Sequence, residues 1–144
     1  MNTKIASVLI LLLSITSAIA QEKTLANAKE AKELSVRCSN LFKDNKIGDF
    51  FKVLRPYWPL PENEIGSLEE KTIQYMNILQ GRFGKVEGVV KLKEETIGDF
   101  AIKETYILRF ENSAIRLMYT YYKNKNGWIL NTFKWDDSFF EEFK

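Results

Sequence analysis

The chain has 144 residues, of which 21 are lysine or arginine, 19 are aspartate or glutamate, one is cysteine and none is histidine. The absence of histidine excludes imidazole bases, Ser-His and Cys-His nucleophile pairs and the usual zinc triads. A single cysteine excludes an internal disulfide and a cysteine-rich metal site. The formal net charge of +2 argues against a nucleic-acid binder, which would carry a strongly basic surface. We therefore expect no metal, no cofactor and no nucleic-acid partner.

An apolar run from residue 5 to residue 15 follows a single lysine near the start of the chain. Ala18 and Ala20 then fit the small-residue pattern of a signal-peptidase site. The run is too short for a comfortable membrane span of about 20 apolar residues. We predict a signal peptide over residues 1–20, cleaved after Ala20, and a soluble protein exported to the periplasm or the extracellular space. An uncleaved N-terminal anchor is the alternative.

The first predicted helix covers residues 22–42, where good helix formers dominate. Its apolar stripe consists of Ala31, Leu34, Cys38, Leu41 and Phe42. Cys38 belongs to this stripe, so we expect it to be buried and free; pairing between two chains is the alternative. A second, shorter helix has apolar residues at helical spacing, namely Ile47, Phe50, Phe51 and Leu54.

Three prolines between residues 56 and 61 end the helical pattern and leave an extended segment, in which Tyr57 and Trp58 should pack. A third helix is predicted to begin near Ser67, because Ser67 and Glu70 have the spacing of a capping box. It should end at Gly81 and Gly84. Its predicted stripe consists of Leu68, Thr72, Tyr75, Met76, Leu79 and Phe83.

After Gly84 the apolar residues alternate with a period of two, which predicts strands over 85–96, 100–110, 113–123 and 128–135. The predicted turns are Gly98-Asp99, Asn112-Ser113 and Asn126-Gly127. The apolar faces of the first three strands are Val86, Val90 and Leu92; Phe100, Ile102, Glu104, Tyr106, Leu108 and Phe110; and Ile115, Leu117, Tyr119 and Tyr121. The second turn would place Leu108 opposite Leu117 and Tyr106 opposite Tyr119. Gly127 allows a bulge, so the sequence does not determine which face of the sheet Trp128 occupies. Nothing divides residues 21–144, so we predict a single domain.

Several motifs resemble those of the nuclear transport factor 2-like superfamily, the cystatin-like α+β cone of ketosteroid isomerase and the polyketide cyclases. They are Phe50-Phe51, Trp58-Pro59-Leu60-Pro61, Leu79-x-x-Arg82-Phe83-Gly84 and Gly127-Trp128-x-Leu130. The resemblance covers most of 25–135 and is strongest to small exported members of unknown function. It implies an α+β fold in which three N-terminal helices pack on a strongly bent antiparallel sheet of about four strands, with a pocket in the cone.

The resemblance transfers no catalytic residue. The dehydratase-type sites of this superfamily use histidine, which the chain lacks, and the isomerase-type sites pair an aspartate base with a tyrosine and a protonated acid. The five aspartates fall at predicted turns or element ends, namely Asp44, Asp49, Asp99, Asp136 and Asp137.

Glu104 is the one acidic residue inside a predicted apolar strand face, between Ile102 and Tyr106. If that face is concave, Glu104 would be desolvated and could serve as a base or accept a hydrogen bond from a ligand. If the face is solvated, Glu104 forms a cross-strand ion pair with Lys93, which would lie opposite it. The second interpretation is the commoner arrangement of a charged strand residue.

Aromatic residues are abundant, with 10 Phe, 6 Tyr and 3 Trp. Those that could line a pocket in the cone are Tyr75, Tyr106, Tyr119, Tyr121, Trp128 and Trp135. Arg109 and Arg116 should face each other across the second turn, where they splay into solvent or hold an anion such as a carboxylate. The predicted ligand-binding residues are therefore Tyr75, Tyr106, Arg116, Tyr119 and Tyr121.

Phe139, Phe140 and Phe143 form a short aromatic tail that would be costly to leave exposed. We expect it to fold over the open end of the sheet, or to dock on a partner or on a second copy. Three functions follow: a non-catalytic exported domain that binds a small apolar or aromatic ligand or a protein partner in the cone, an isomerase- or hydrolase-like enzyme using Glu104 with Tyr106 or Tyr119, and a structural domain that dimerises through the outer face of the sheet. No membrane partner is expected once the leader is removed.

Overall fold

The computed structural model describes residues 23–144, and the predicted signal peptide lies outside the described residues. Three helices precede a four-stranded antiparallel sheet in the order β1-β2-β3-β4, so the predicted α+β class is confirmed. The elements are α1 (Ala28–Lys43), α2 (Ile47–Leu54), a 3-10 turn (Arg55–Tyr57), α3 (Glu62–Phe83), β1 (Val86–Ile97), β2 (Ala101–Phe110), β3 (Ala114–Asn124), β4 (Gly127–Asp136) and a second 3-10 turn, the C-terminal turn (Phe139–Phe143).

Helix α1 begins at a reciprocal cap and lies across the sheet. The Asn27 side chain accepts a hydrogen bond from the backbone of Glu30, and the Glu30 carboxylate accepts one from the backbone of Ala26. These bonds satisfy donors that the first helical turn leaves free. The helix contacts all four strands, and we call the sheet face under it the inner face. Cys38 is fully buried on its stripe, which confirms the expectation of a buried free thiol.

Helix α3 begins at Glu62, earlier than the predicted start near Ser67, and Ser67 lies within it. Pro61 precedes the first turn with an extended backbone, and its fixed φ suits the entry to a helix. Glu62 and Glu64 lie in that first turn, where the helix dipole favours carboxylates. The helix runs through Gly81 and ends at Gly84, whose φ is 85°.

Strands β2 and β3 pair two residues away from the predicted register. Leu108 lies opposite Ile115 and Tyr106 opposite Leu117, because the turn centres on Glu111 and the residue after it and not on Asn112-Ser113. A slip of two residues keeps each side chain on the same face. The predicted inner face is therefore correct, and its buried residues are Ile102, Glu104, Tyr106, Leu108, Phe110, Ile115, Leu117, Tyr119 and Tyr121.

Strand β1 departs from the predicted face because its register shifts twice, between Val86 and Gly88 and between Lys91 and Lys93. An extra residue at a bulge turns the following side chains to the opposite face. As a result Lys91 lies opposite the inward-facing Tyr106. Val90 and Leu92, predicted on the apolar face with Val86, are instead 48% and 46% exposed.

Strand β4 contains the third register shift of the sheet. Thr120 pairs with Thr132 and the next residue, Tyr121, pairs with Leu130, so Asn131 is the extra residue. The bulge lies in mid-strand and not at Gly127. The inner residues of β4 are Trp128, Leu130 and Phe133, all buried.

The core lies between the inner face and the helices and is largely aromatic. The Phe50 ring packs 5.1 Å from Phe42, 5.1 Å from Phe51 and 4.7 Å from Phe133, and the Tyr119 ring lies 5.1 Å from Phe133. Offset and edge-to-face packing of this kind contributes beyond the apolar area that it buries. Among residues 23–144, no helix is long and apolar enough to cross a membrane.

Candidate functional site

Two buried tyrosines of β3 are hydrogen-bonded to α1. The hydroxyl of Tyr121 lies 2.6 Å from Ser35 Oγ, and the hydroxyl of Tyr119 lies 2.9 Å from Ser39 Oγ. Burial raises the pKa of both phenols well above the ordinary tyrosine value, and the hydrogen bonds to Ser35 and Ser39 oppose that rise. Because each hydroxyl has its partner inside the protein, these tyrosines fasten α1 to the sheet.

Glu104 lies on the same inner face and is completely buried. Its Oε2 lies 2.5 Å from Nζ of Lys91. Lys93, predicted opposite Glu104 on a solvated face, pairs instead with Thr105, and the residue opposite Glu104 in β1 is Glu94. The predicted surface pair is therefore wrong, because Ile97 pairs with Ala101, which makes the turn one residue longer than the predicted Gly98-Asp99.

The Glu104–Lys91 pair continues into a chain of charges that reaches α1. Lys91 Nζ lies 2.8 Å from Glu94, and Lys32 Nζ lies 2.7 Å from the other oxygen of Glu94. Hydrogen bonds from Lys32 and then Lys91 lower the pKa of Glu94. Burial opposes ionisation of Lys91, but its bonds to Glu104 and Glu94 outweigh that effect and raise its pKa. The chain thus joins β2, β1 and α1 through alternating charges.

The surroundings of Glu104 are closed to solvent. Neither carboxylate oxygen is accessible, and the hydroxyl of the neighbouring Tyr106 is buried and has no hydrogen-bond partner among the described residues. Burial, followed by the charge of Glu104, raises the pKa of Tyr106 to about 12. A general base must come within hydrogen-bond distance of its substrate. The geometry therefore favours Glu104 as a structural anchor over the catalytic role considered from the sequence.

Three of the five predicted ligand-binding residues meet on the inner face, and two lie elsewhere. Tyr106, Tyr119 and Tyr121 are together and buried. Tyr75 of α3 is 54% exposed, and its ring packs edge-on against Trp135 with the centroids 6.0 Å apart. Arg116 is on the opposite face of the sheet, which we call the outer face. The predicted set does not form one pocket.

Arg116 is held by acids of its own chain. It donates to both oxygens of Asp136 at 2.8 and 2.7 Å and to Glu142 at 2.8 Å. Hydrogen bonding to Arg116 lowers the pKa of Asp136. Arg109, predicted opposite Arg116, pairs with Ala114, and the residue opposite Arg116 in β2 is Ile107. The predicted juxtaposition of the two arginines is therefore wrong, and with it the alternative in which they hold an anion together, because the strand register separates them.

A groove with a volume of about 350 Å³ lies between α3 and the end of β4. It is lined by Phe51, Trp58, Leu68, Thr72, Phe133, Lys134, Trp135 and Asp136. The indole N–H of Trp135 donates to the Thr72 hydroxyl at 3.2 Å, and that hydroxyl donates to the backbone carbonyl of Leu68 at 2.8 Å. These bonds fix the Trp135 ring against α3.

The groove exists because α3 packs on α2 and leaves part of its predicted stripe uncovered. Leu68 and Tyr75 belong to the predicted stripe of α3 but are 38% and 54% exposed. The sequence identified Trp135 as a pocket residue and missed Phe51, Trp58 and Phe133. Apolar spacing cannot distinguish a core residue from a groove wall, since both look buried in sequence.

No group of three or more histidine, cysteine, aspartate or glutamate side chains within residues 23–144 could hold a metal ion.

Comparisons with known proteins gave structural likenesses only. Neither the protein-family models nor the curated proteins gave a match. A solved structure from Campylobacter jejuni, described as an NTF2-like transpeptidase, is 19% identical with a TM-score of 0.46, over 71% of this chain and 97% of the other. A second, from Thiobacillus denitrificans, is described as a calcium/calmodulin-dependent protein kinase type II association domain. It is 13% identical with a TM-score of 0.45, over 79% of this chain and 97% of the other. The α+β assignment rests on the element order and strand register of the chain itself.

Proposed function

We propose that this protein is a non-catalytic binding domain that takes a small apolar or aromatic ligand in the groove between α3 and β4. The observation that carries the proposal is the groove's wall of aromatic side chains, Phe51, Trp58, Phe133 and Trp135. Ligand sites are typically concave and mostly apolar, with a few polar groups that fix orientation. In contrast, the tyrosine cluster on the inner face is closed and its Tyr119 and Tyr121 hydroxyls are already bonded.

The polar groups at the groove favour binding over chemistry. Asp136 is already neutralised by Arg116, and the Thr72 hydroxyl is engaged by Trp135 and Leu68. Neither supplies a free base or nucleophile. Lys134 also borders the groove, but it pairs with Met118 between the inward-facing Leu117 and Tyr119, so its side chain leaves β4 on the outer face of the sheet.

A fluorescence titration with anilinonaphthalene sulfonate, an apolar probe with one anionic group, tests the groove. We expect saturable binding with energy transfer from the groove tryptophans. Leu68→Arg places a charge in the groove and should weaken binding at least about tenfold, a loss of about 1.4 kcal/mol. Ile78→Arg is the matched control, because Ile78 is an exposed apolar residue of the same helix outside the groove lining. Equal binding by both variants would refute the proposal.

We further propose that the protein acts after export, as its predicted leader implies. Native mass spectrometry of protein purified from the exported fraction of its own cells measures this directly. A mass that corresponds to a chain beginning at Gln21 supports cleavage after Ala20, and any retained ligand appears as added mass. A full-length mass, or the absence of the protein from that fraction, would contradict export.

A further inference from the structure

The C-terminal turn (Phe139–Phe143) is attached to the outer face of the sheet by charge. Glu142 Oε2 lies 2.6 Å from Nζ of Lys93 in β1, and Glu142 Oε1 accepts a hydrogen bond from Arg116 of β3 at 2.8 Å. The side chains of Glu142 and Arg116 are only 13% and 12% exposed. Glu141 adds a longer contact to Arg116 at 3.5 Å. One carboxylate of the turn is therefore held by two cations in a place that is shielded from water.

Apolar packing contributes little to this attachment. None of the residues of the turn is buried, none belongs to the hydrophobic core, and Phe140 and Phe143 are 62% and 85% exposed. Only Phe139 is half-buried. Detaching the turn would therefore break ion pairs but would expose little further apolar surface. A carboxylate from elsewhere that took the place of Glu142 would restore those ion pairs.

The surface beneath Glu142 is polar. Because β2 lies between β1 and β3, a carboxylate bonded to both Lys93 and Arg116 crosses over β2. The β2 residues that pair with these two cations are Thr105 and Ile107. Thr105 is completely buried, and its hydroxyl has no hydrogen-bond partner among the described residues. The place that Glu142 occupies thus has a cation on either side and an unsatisfied hydroxyl at its floor.

We propose that Lys93 and Arg116 form a binding site for an acidic peptide segment of another protein, and that Glu142 of the C-terminal turn occupies this site as an internal competitor. A glutamate or aspartate side chain of the partner would replace Glu142 between the two cations. Arginine-containing clusters are a recurring means of recognising acidic segments. The site lies on the outer face and is separate from the groove, so it goes beyond the proposed function and does not depend on it.

The charges that remain when the turn detaches match a single carboxylate. Glu141 and Glu142 leave with the turn, whereas Asp136 belongs to β4 and stays bonded to Arg116 at 2.8 and 2.7 Å. Lys93 and Arg116 then face one acid, and these three groups together carry one net positive charge. Charge complementarity therefore favours one acidic side chain over a phosphate group, which carries nearly two negative charges.

The tether between Glu142 and the sheet sets the strength of the competition. A group that is held close to its site competes at an effective concentration on the order of millimolar. We therefore expect the wild type to bind an acidic peptide weakly. Removing the two carboxylates of the turn should make the site available and strengthen binding.

A titration with the peptide acetyl-Ala-Glu-Glu-Ala-amide, followed by the backbone amide resonance of Thr105, tests the site. The peptide has no aromatic group for the groove. We expect Glu141→Gln/Glu142→Gln to bind it at least about tenfold more tightly than the wild type. Adding Lys93→Met to that variant should abolish the gain, because one of the two cations is then missing. The same peptide with glutamine in place of glutamate should not bind.

Glu70→Gln/Glu87→Gln is the matched control. It makes the same change in net charge, and it removes the partner of Arg109, an exposed arginine whose Nη2 lies 3.8 Å from Glu87. It should bind the peptide like the wild type. The proposal is overturned if Glu141→Gln/Glu142→Gln binds no more tightly than the wild type, if the control gains as much, or if the glutamine peptide binds equally well.

Discussion

The Glu104–Lys91 pair places one completely buried charge against one that reaches the surface. Glu104 has no exposed area, whereas the Lys91 side chain is 37% exposed. The two partners therefore differ in what happens when the other is removed. A buried carboxylate left alone has lost its hydration, but an exposed ammonium can recover its hydration from solvent.

Lys91→Met should consequently destabilise the protein more than Glu104→Gln, although both break the same ion pair. We expect a loss of about 2–4 kcal/mol for Lys91→Met, because Glu104 would be left buried without its partner. Glu104→Gln removes the buried charge and should cost about 1 kcal/mol. The free energy of unfolding in urea measures both, and equal losses would contradict the asymmetric burial.

If Glu104 is a structural anchor that lies outside the groove, Glu104→Gln should leave ligand affinity nearly unchanged. The amide has nearly the same shape as the carboxylate, and Glu104 does not line the groove. Binding of anilinonaphthalene sulfonate should therefore change by less than about threefold. A larger loss of probe affinity would show that Glu104→Gln also alters the structure of the groove.

The sequence predicted the face of Glu104 and not its partner. Alternation along β2 placed Glu104 with Tyr106 and Leu108, and all three are buried. Its partner depends on one extra residue in β1, the bulge between Lys91 and Lys93. Nothing in the local pattern of lysines and glutamates there marks a bulge, because the residues that would signal one, glycine or a break in alternation, are absent.

Among the elements, α3 forms one wall of the groove. The two glycines near the C-terminus of this helix have opposite roles. Gly81 lies in the helix with open space where a Cβ would be, whereas Gly84 has a φ of 85° and its Cβ would meet the Glu111 side chain. A residue with a Cβ is favoured over glycine inside a helix and disfavoured at positive φ.

Gly81→Ala should therefore stabilise the protein by about 0.5–1 kcal/mol, and Gly84→Ala should destabilise it by about 1–3 kcal/mol. Thermal unfolding followed by circular dichroism measures both. The pair is its own control, because the two sites are three residues apart and receive the same substitution. Changes of the same sign in both variants would show that α3 does not end at Gly84.

The sequence predicted α3 in part. The end at Gly84 and the buried residues Thr72, Met76 and Leu79 were anticipated, but the start at Glu62 and the passage of the helix through Gly81 were not. A serine followed three residues later by glutamate fits a capping box, yet here the same residues lie inside a helix whose entry is set by Pro61. The groove could not be predicted, because it depends on the distance between α3 and β4. The spacing of apolar residues along one helix does not give the distance between that helix and a strand.

Across the whole molecule, ionisable groups on both faces of the sheet stabilise the folded state over the same pH range. Cationic partners lower the pKa values of Glu94, Asp136 and Glu142. Their stabilisation is present above the unfolded carboxylate pKa and is lost as pH falls. Burial raises the pKa of Cys38 from 9.0 to about 12, and those of Tyr119 and Tyr121 well above the tyrosine value. These groups stay neutral when folded, so unfolding is favoured once pH exceeds their unfolded pKa values.

The melting temperature should thus be nearly constant between about pH 5 and pH 9 and should fall on either side. Differential scanning calorimetry across buffers of constant ionic strength measures the profile. Glu142→Gln removes one of the three carboxylates and should make the acid side shallower, while the alkaline side stays unchanged. An acid side that is identical in this variant would contradict the contribution of the C-terminal turn.

The indole N–H resonances of the three tryptophans show directly whether a ligand enters the groove between α3 and β4. Trp58 and Trp135 line the groove, and Trp128 lies apart from it, where its backbone pairs with Leu25. On titration with anilinonaphthalene sulfonate we predict that the Trp58 and Trp135 resonances shift with one binding curve and that Trp128 stays in place. Shifts confined to Trp128, or no shift at saturating probe, would contradict the account.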